Sequence, residues 1–193
     1  GYIETKNEAL DLASYPFVLS LDADEALDLT LRDSILKVKE NPVAVAYCMN
    51  RCTNYCGRFI RHGSWYPDRK LRLFDKRVGR WGGTNPHDQI ELIRQYPVVW
   101  IKGDILHYSY HTLADHAAQN NKFSTIAAEA LYKKGKRAGM LNIIANPFWA
   151  FFQGYFLKAG FLDGFSGLVI AIQVAHMTFL KYAKLYALRK SAE

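Results

Sequence analysis

Apolar positions first recur at helical spacing over residues 4–14 (ETKNEALDLAS), where Ala9, Leu10, Leu12 and Ala13 predict an amphipathic helix. Tyr15-Pro16 breaks that pattern, and the run Phe17-Val18-Leu19-Ser20-Leu21 predicts a buried strand. The run stops on three carboxylates within four residues: Asp22, Asp24 and Glu25. Leu31, Ile35, Leu36 and Val38 predict a second helix over about 30–40, closed by Asn41-Pro42. The alternating VAVAYCMN that follows predicts a strand over 43–50. Helix, strand, helix, strand in this order is the mark of an α/β layer.

From 51 to 101 the pattern shortens into β-like pieces (GRFIRH, KLRLFDK, PVVWIKG) separated by Gly, Pro, Asn and Asp. His107 to His111 leads into a helix expected over Thr112–Lys134, with Thr112 and Asp115 spaced for a capping arrangement and Gly135 as its stop. The last third is aromatic-rich and ends in a basic tail. Its longest stretch without charge, Gly164 to Leu180, is interrupted by Ser166, Gln173 and His176. A spanning helix needs roughly 20 predominantly apolar residues, so a transmembrane segment is not expected. The alternatives are helices lying on a membrane surface, or helices packed on the domain or on a partner chain.

Composition narrows this picture only in part. Half of the 193 residues are hydrophobic, which excludes a disordered chain. A net charge of +7 suits a phosphate-bearing partner without choosing among nucleotide, nucleic acid and anionic membrane. No nucleic-acid motif accompanies the scattered lysines and arginines, so nucleic acid is not an expected partner. No stretch reads as a signal peptide, and an odd count of cysteines (Cys48, Cys52, Cys56) points to a reducing compartment. On a strand, cysteines four apart lie roughly 13 Å from one another, too far to share one zinc ion. The chain starts at Gly1 and enters a helical pattern at once, so the N-terminal part of a longer protein is expected to be missing.

The carboxylates carry the most chemistry. Asp22 and Asp24, two apart in extended geometry at the end of a strand, face one side and suit a hard cation such as Mg²⁺ or Mn²⁺. Solvated acids capping the next helix are the alternative. A calcium EF-hand does not fit, because Leu27 stands where its glycine is needed. In PDRKLRLFD, Lys70 and Arg72 alternate with Leu71 and Leu73; with Arg69 they would hold a donor or acceptor phosphate, which guanidinium groups grip in forked geometry, or else form a solvated basic face. Trp65 and Tyr66 are either sugar-stacking surfaces or core aromatics.

The order of motifs adds a resemblance. KNEALDLA before VLSLDADE, then WYPDRKLRLFDK, GTNPHDQIEL and LHYSYHT, covers most of residues 4–135 and resembles bacterial family-2 glycosyltransferases, in particular the lipopolysaccharide-core β-glucosyltransferase-like branch. YFLKAGFLDGFSGLVIA is similar to that branch's helical tail. The resemblance implies an α/β fold, a partial GT-A (Rossmann-like) mixed sheet with flanking helices. Residues 1–111 would be the C-terminal portion of the GT-A domain and 112–193 a helical extension. It implies a nucleotide-sugar donor, a UDP-sugar first of all, with Mg²⁺ or Mn²⁺. Asp22 would serve the nucleotide side and Asp24 the metal, while Lys6 and Asn7 would touch the nucleotide. Glu25 is either a catalytic group or one half of an ion pair with a nearby Arg or Lys. His107 is a third metal ligand or a hydrogen-bonded, half-buried histidine. The family's opening strand and base-binding loop, and a second strand ending in an acidic residue, would precede residue 1.

Inverting transfer needs a base for the acceptor hydroxyl and an electrophile for the departing diphosphate. Asp88 matches the family's base position, with His87 to orient it; the alternatives are a turn or helix-capping aspartate, with Glu91 as the next base. The expected function is therefore transfer of a sugar to a lipopolysaccharide-core or other cell-envelope glycan or glycolipid. It is placed in the cytoplasm, at the inner face of the bacterial cytoplasmic membrane, with peripheral membrane contact. The alternative is a truncated, non-catalytic remnant acting as a membrane-surface or partner-binding module.

Overall fold

A computed structural model of the chain describes residues 2–84 and 87–190, without the side chains of Tyr2, Thr84 and His87. The fold is mixed α/β: a sheet flanked by helices, followed by helices that end in a long C-terminal one, as a partial Rossmann-like fold requires. It divides into two units, residues 1–52 with 68–107, and residues 53–67 with 108–193.

In the first unit, α1 (Tyr2–Leu12) is followed by β1 (Phe17–Leu19), β2 (Glu25–Leu27) and α2 (Leu29–Glu40). β3 (Ala46–Tyr55) and β8 (Val98–Tyr110) supply residues to both units. β5 (Asp68–Asp75), β6 (Gly79–Thr84) and β7 (His87–Leu92) complete the set. The main sheet runs β1-β5-β3-β8-β2, and β6 pairs antiparallel with β7 as a separate ribbon. β1 keeps only three of the five residues expected, because the chain leaves β5 after Ser20 donates its N–H to the Arg72 carbonyl at 2.8 Å. β3 begins later and ends later than the alternation suggested, and β8 absorbs most of the HYSYH segment that was expected only to lead into a helix.

Two apolar clusters hold this unit. Leu31 of α2 meets Tyr47, Met49, Leu73, Ile101 and Ile105, while Leu10 of α1 meets Ala46, Phe74, Trp81 and Ile90. The entry to α2 is fixed by Asp28, whose carboxylate accepts the Leu31 N–H at 2.6 Å. β8 approaches that helix start closely. At Gly103 (φ +108°) any Cβ would run into the backbone of Leu31, so the position needs glycine twice over.

The second unit contains β4 (Arg58–Phe59), paired with the end of β3, then α3 (Leu113–Lys133), α4 (Met140–Phe152) and α5 (Gly164–Lys190). A π-turn (Gln153–Leu157) and a 3-10 turn (Gly160–Asp163) link α4 to α5. α3 starts on the reciprocal Thr112–Asp115 capping box the sequence predicts, and Gly135 follows its end with a left-handed φ of +72°. By length and composition, Gly160–Lys190 is the one helical stretch among the described residues long and apolar enough to cross a membrane. Yet α5 is tied to the polar α3 at two levels: Asn120 Nδ2 donates to Gln173 Oε1 at 3.0 Å, and Lys184 Nζ reaches Asn121, Ser124 and Thr125 within 2.9 Å. Helix α3 could not follow such a segment into hydrocarbon without burying its own charges.

Asp163, only 3% exposed, accepts the N–H groups of Arg61 and His62 and faces His62 Nδ1 at 3.2 Å. Trp65 stacks on Tyr110 at 5.0 Å and packs edge-on to Tyr55, so of its two sequence readings it takes that of a core aromatic. His116 lies in the same cluster, 3.0 Å from the Tyr55 hydroxyl, and burial pushes its pKa down to about 4. Its folded pKa lies below the ordinary value near 6.5, so the unfolded chain takes up the proton first. Stability from this group is complete above about pH 6.5 and is lost as pH falls toward 4. The expected loss is about 2–3 kcal/mol at about one proton of slope. Urea unfolding between pH 7 and 4.5 measures it: His116→Leu should flatten the slope, and an unchanged slope would assign it to other groups.

Candidate active site

The Asp22–Glu25 turn is closed by the Glu25 N–H to the Asp22 carbonyl and by the Asp22 N–H to Glu25 Oε2, both at 3.0 Å. This turn brings the carboxylates back toward β5. There Arg72, buried in the middle of its strand, sends Nη2 to Asp22 Oδ2 at 3.0 Å and to Glu25 Oε1 at 3.2 Å. Arg51 of β3 stands 3.7 Å from the same Glu25 oxygen. Glu25, whose side chain has no exposed surface, is thus the ion-pair member of its two readings. Arg72 is buried rather than presented on a basic face, and its Nη1 is a buried donor without a partner.

Lys6 of α1 links this group to β7. Its ammonium lies 2.9 Å from Asp22 Oδ1 and 2.7 Å from Asp88 Oδ2, and 4.0 Å above the Trp81 ring. Burial alone would raise the Asp22 pKa. The Lys6 hydrogen bond and the charges of Arg72 and Lys6 outweigh it and hold the carboxyl below its ordinary value. Asn7, the other residue expected at the nucleotide, places its amide on the Trp81 backbone, donating to the carbonyl at 2.9 Å and accepting the N–H at 3.0 Å. That two-point clamp fixes α1 to β6 and sets the ring under Lys6.

Asp88 lies in β7, neither in a turn nor at a helix cap. Its neighbour His87 has its side chain outside the described residues, so the orienting role expected of it is not placed. Asp22, Asp88, Arg51, Arg69, Arg72 and Trp81 line one cleft of about 480 Å³. Glu91 does not line it; its carboxylate lies beside Gly82. Arg51 and Lys70 are both held by Asp68, at 2.9 and 3.0 Å. Arg69 has no ion-pair partner among the described residues, leaving it and Arg72 Nη1 as cationic donors on the cleft that its carboxylates do not satisfy.

Asp24 turns away from Asp22 and meets His107, whose Nε2 is 3.2 Å from Asp24 Oδ2. The register explains the encounter, since Glu25 is paired with His107 across β2 and β8. Burial, then the Arg51 charge, push the His107 pKa down against the pull of Asp24 and Glu25, favouring the neutral imidazole that metal coordination needs. Its Nδ1 is buried without a partner. Among the described residues, no three His, Cys, Asp or Glu side chains lie together as a metal cluster. An imidazole beside a half-exposed carboxylate (49%) nevertheless suits Mn²⁺, while Mg²⁺ would rest on the carboxylate with water and phosphate oxygens. The three cysteines are free thiols.

Sequence reasoning found Lys6, Asp22, Arg72 and Asp88 as separate suggestions and missed Trp81 and Arg51. The only signal for Trp81 was an aromatic residue in a Gly-rich strand. No protein-family model matches the chain. It is similar to an uncharacterised glycosyltransferase of Rickettsia prowazekii, with 26% identity over 96% of the chain and 67% of the relative. A second uncharacterised glycosyltransferase, of Rickettsia bellii, matches at 26% over 96% of the chain and 66% of its own length. The lipopolysaccharide core biosynthesis glycosyltransferase LpsC of Rhizobium meliloti matches at 28%, over 96% of the chain and 69% of its own length. The chain thus spans about two thirds of the length of these relatives. It is a homologue of bacterial glycosyltransferases, one of them named for lipopolysaccharide core biosynthesis.

Proposed function

We propose that the protein is an inverting, metal-dependent glycosyltransferase that moves a sugar from a nucleotide-sugar donor, a UDP-sugar first, to a lipopolysaccharide-core or other envelope glycan. The observation that carries this reading is the meeting of Asp22, Asp88 and Arg72 on a single cleft, with Lys6 bridging the two carboxylates and Asp24 of the adjoining turn paired with His107. A glycolipid acceptor would place the work at the inner face of the cytoplasmic membrane.

In this mechanism Asp88 accepts the proton of the acceptor hydroxyl as it attacks the anomeric carbon. Lys6 holds Asp88 and Asp22 in fixed positions. Arg69 and the free Nη1 of Arg72 donate to phosphate oxygens of the donor. Asp24 and His107 would hold the Mg²⁺ or Mn²⁺, which when bound supplies positive charge against the departing diphosphate. Trp81 offers an apolar wall beside them.

Calorimetric titration of UDP-sugars in the presence and absence of Mn²⁺ tests the metal assignment. Binding should require the ion, and Asp24→Ala should weaken the metal-dependent part at least about tenfold. Equal binding by Asp24→Ala would remove the pair from the metal, and His107→Gln distinguishes loss of the imidazole from loss of the carboxylate.

A further inference from the structure

The net positive charge of the chain is carried by its last third. Residues 1–130 balance 16 Lys and Arg against 16 Asp and Glu, whereas residues 131–190 carry nine basic residues against one acidic residue. That acid is Asp163, which is buried under the Arg61 and His62 N–H groups and leaves the basic charge uncompensated. The bias therefore belongs to α4, α5 and their flanks.

α4 is unusual in a second respect. Its thirteen residues include no charged side chain, only two polar ones (Asn142 and Asn146), and none that is buried. One side leans on α5. Leu141, Ile144, Phe148, Phe152 and, within the π-turn, Phe156 form an exposed stripe, with Leu141 at 81% and Phe148 at 71% exposure. Their spacing of three or four residues keeps them on one helical face. Cations bracket the stripe. Lys136 and Arg137 precede α4, beside Arg189 and Lys190 at the end of α5, where Arg189 Nε donates to the Lys136 carbonyl at 3.2 Å. Lys158 follows the π-turn at the other end.

We infer that α4 and its π-turn are an interfacial anchor that lies in the plane of an anionic bilayer, with the stripe among the upper acyl chains and the flanking lysines and arginines among the headgroups. The charge chooses the occupant. An uncharged apolar helix between basic ends matches a surface that is apolar within and negative outside. Two copies packed through the same face would bring two nine-cation segments together, which like-charge repulsion opposes. The inference sharpens the membrane-side placement proposed above. It concerns lipid alone, without donor or acceptor, so it stands or falls separately from sugar transfer.

The test is sedimentation of the full chain with phosphatidylcholine vesicles, with and without phosphatidylglycerol. Binding is expected on the anionic vesicles, falling with salt. Lys136→Glu with Arg137→Glu should weaken it at least about tenfold, and Ile144→Glu with Phe148→Glu should abolish it. Because Ile144 and Phe148 are exposed, the second variant should keep the wild-type circular dichroism. A measurement that needs no such variant is quenching of Trp149 by brominated lipid in the otherwise native chain, expected to disappear in Trp149→Phe. Failure to bind anionic vesicles, unchanged binding by the Ile144/Phe148 variant, or no lipid quenching of Trp149 would overturn the inference. A dimer abolished by the same variant, without lipid binding, would assign the face to a second copy instead.

Discussion

Asp88→Asn is expected to lower the rate of sugar transfer by about 10²–10⁴-fold, the usual contribution of a positioned general base. Donor affinity should change little, because Asp88 is paired with Lys6 and not with Arg69 or Arg72, the groups placed against the donor phosphates. The isosteric amide keeps an oxygen for the Lys6 ammonium, so the loss is chemical rather than structural. Steady-state kinetics with a UDP-sugar would show a fall in kcat with KM for the donor within a few-fold. Retention of more than a tenth of the rate would remove Asp88 as the base. Glu91, the other acid of β7, would not be its natural replacement, since it lies outside the cleft beside Gly82.

Arg72→Met is expected to destabilise the fold by about 3–5 kcal/mol, the cost of leaving a buried charge uncompensated. Glu25 is fully buried and loses its closest cation, with Arg51 left at 3.7 Å; Asp22, 31% exposed, is partly relieved by water and Lys6. Chemical denaturation would read the loss as a shift in midpoint. The double variant Arg72→Met with Glu25→Gln should recover a large share, because it removes the orphaned charge together with its partner. Arg72→Lys should not restore the wild type, since one ammonium cannot reach two carboxylates and leave a further planar donor for a ligand. A loss under about 1 kcal/mol for Arg72→Met would show that water enters the Glu25 site and carries its charge.

Local pattern and tertiary assembly divide what could be read in the chain. Helices α2 and α3, with the Thr112–Asp115 box and the Asn41-Pro42 stop, follow from 3.6-residue spacing and caps that act over a few residues. The short β1 and long β8 do not, because a strand's extent is decided by the partner across the ladder. Three carboxylates after an apolar run are legible as a cluster, but the two ways they part are not. Asp24 goes to His107 because β2 and β8 pair in one particular register, and Asp22 with Glu25 goes to Arg72 because β1 and β5 pair in another. The amide of Asn7 is engaged by the Trp81 backbone, a contact 74 residues away that no local pattern announces. Whole-chain charge hid the most, since its value is the sum of a neutral segment and a strongly basic one.

The path of the chain through its two units bears on how the carboxylate-bearing unit can be produced by itself. Residues 53–67 pack with the later helices: Tyr55 and Ile60 rest on Ile170, and Asp163 receives the N–H groups of Arg61 and His62. Ending the chain at 107 would strip that cover and leave an aromatic surface prone to aggregate. Arg51 and Asp68, however, are direct partners across the antiparallel β3–β5 pair. Excising 52–67 and joining those two residues through an Asn-Gly hairpin turn would keep the ladder intact. The product, about half the size, would be a minimal scaffold on which the Lys6–Asp22–Arg72–Asp88 cluster can be studied by NMR without lipid-seeking helices.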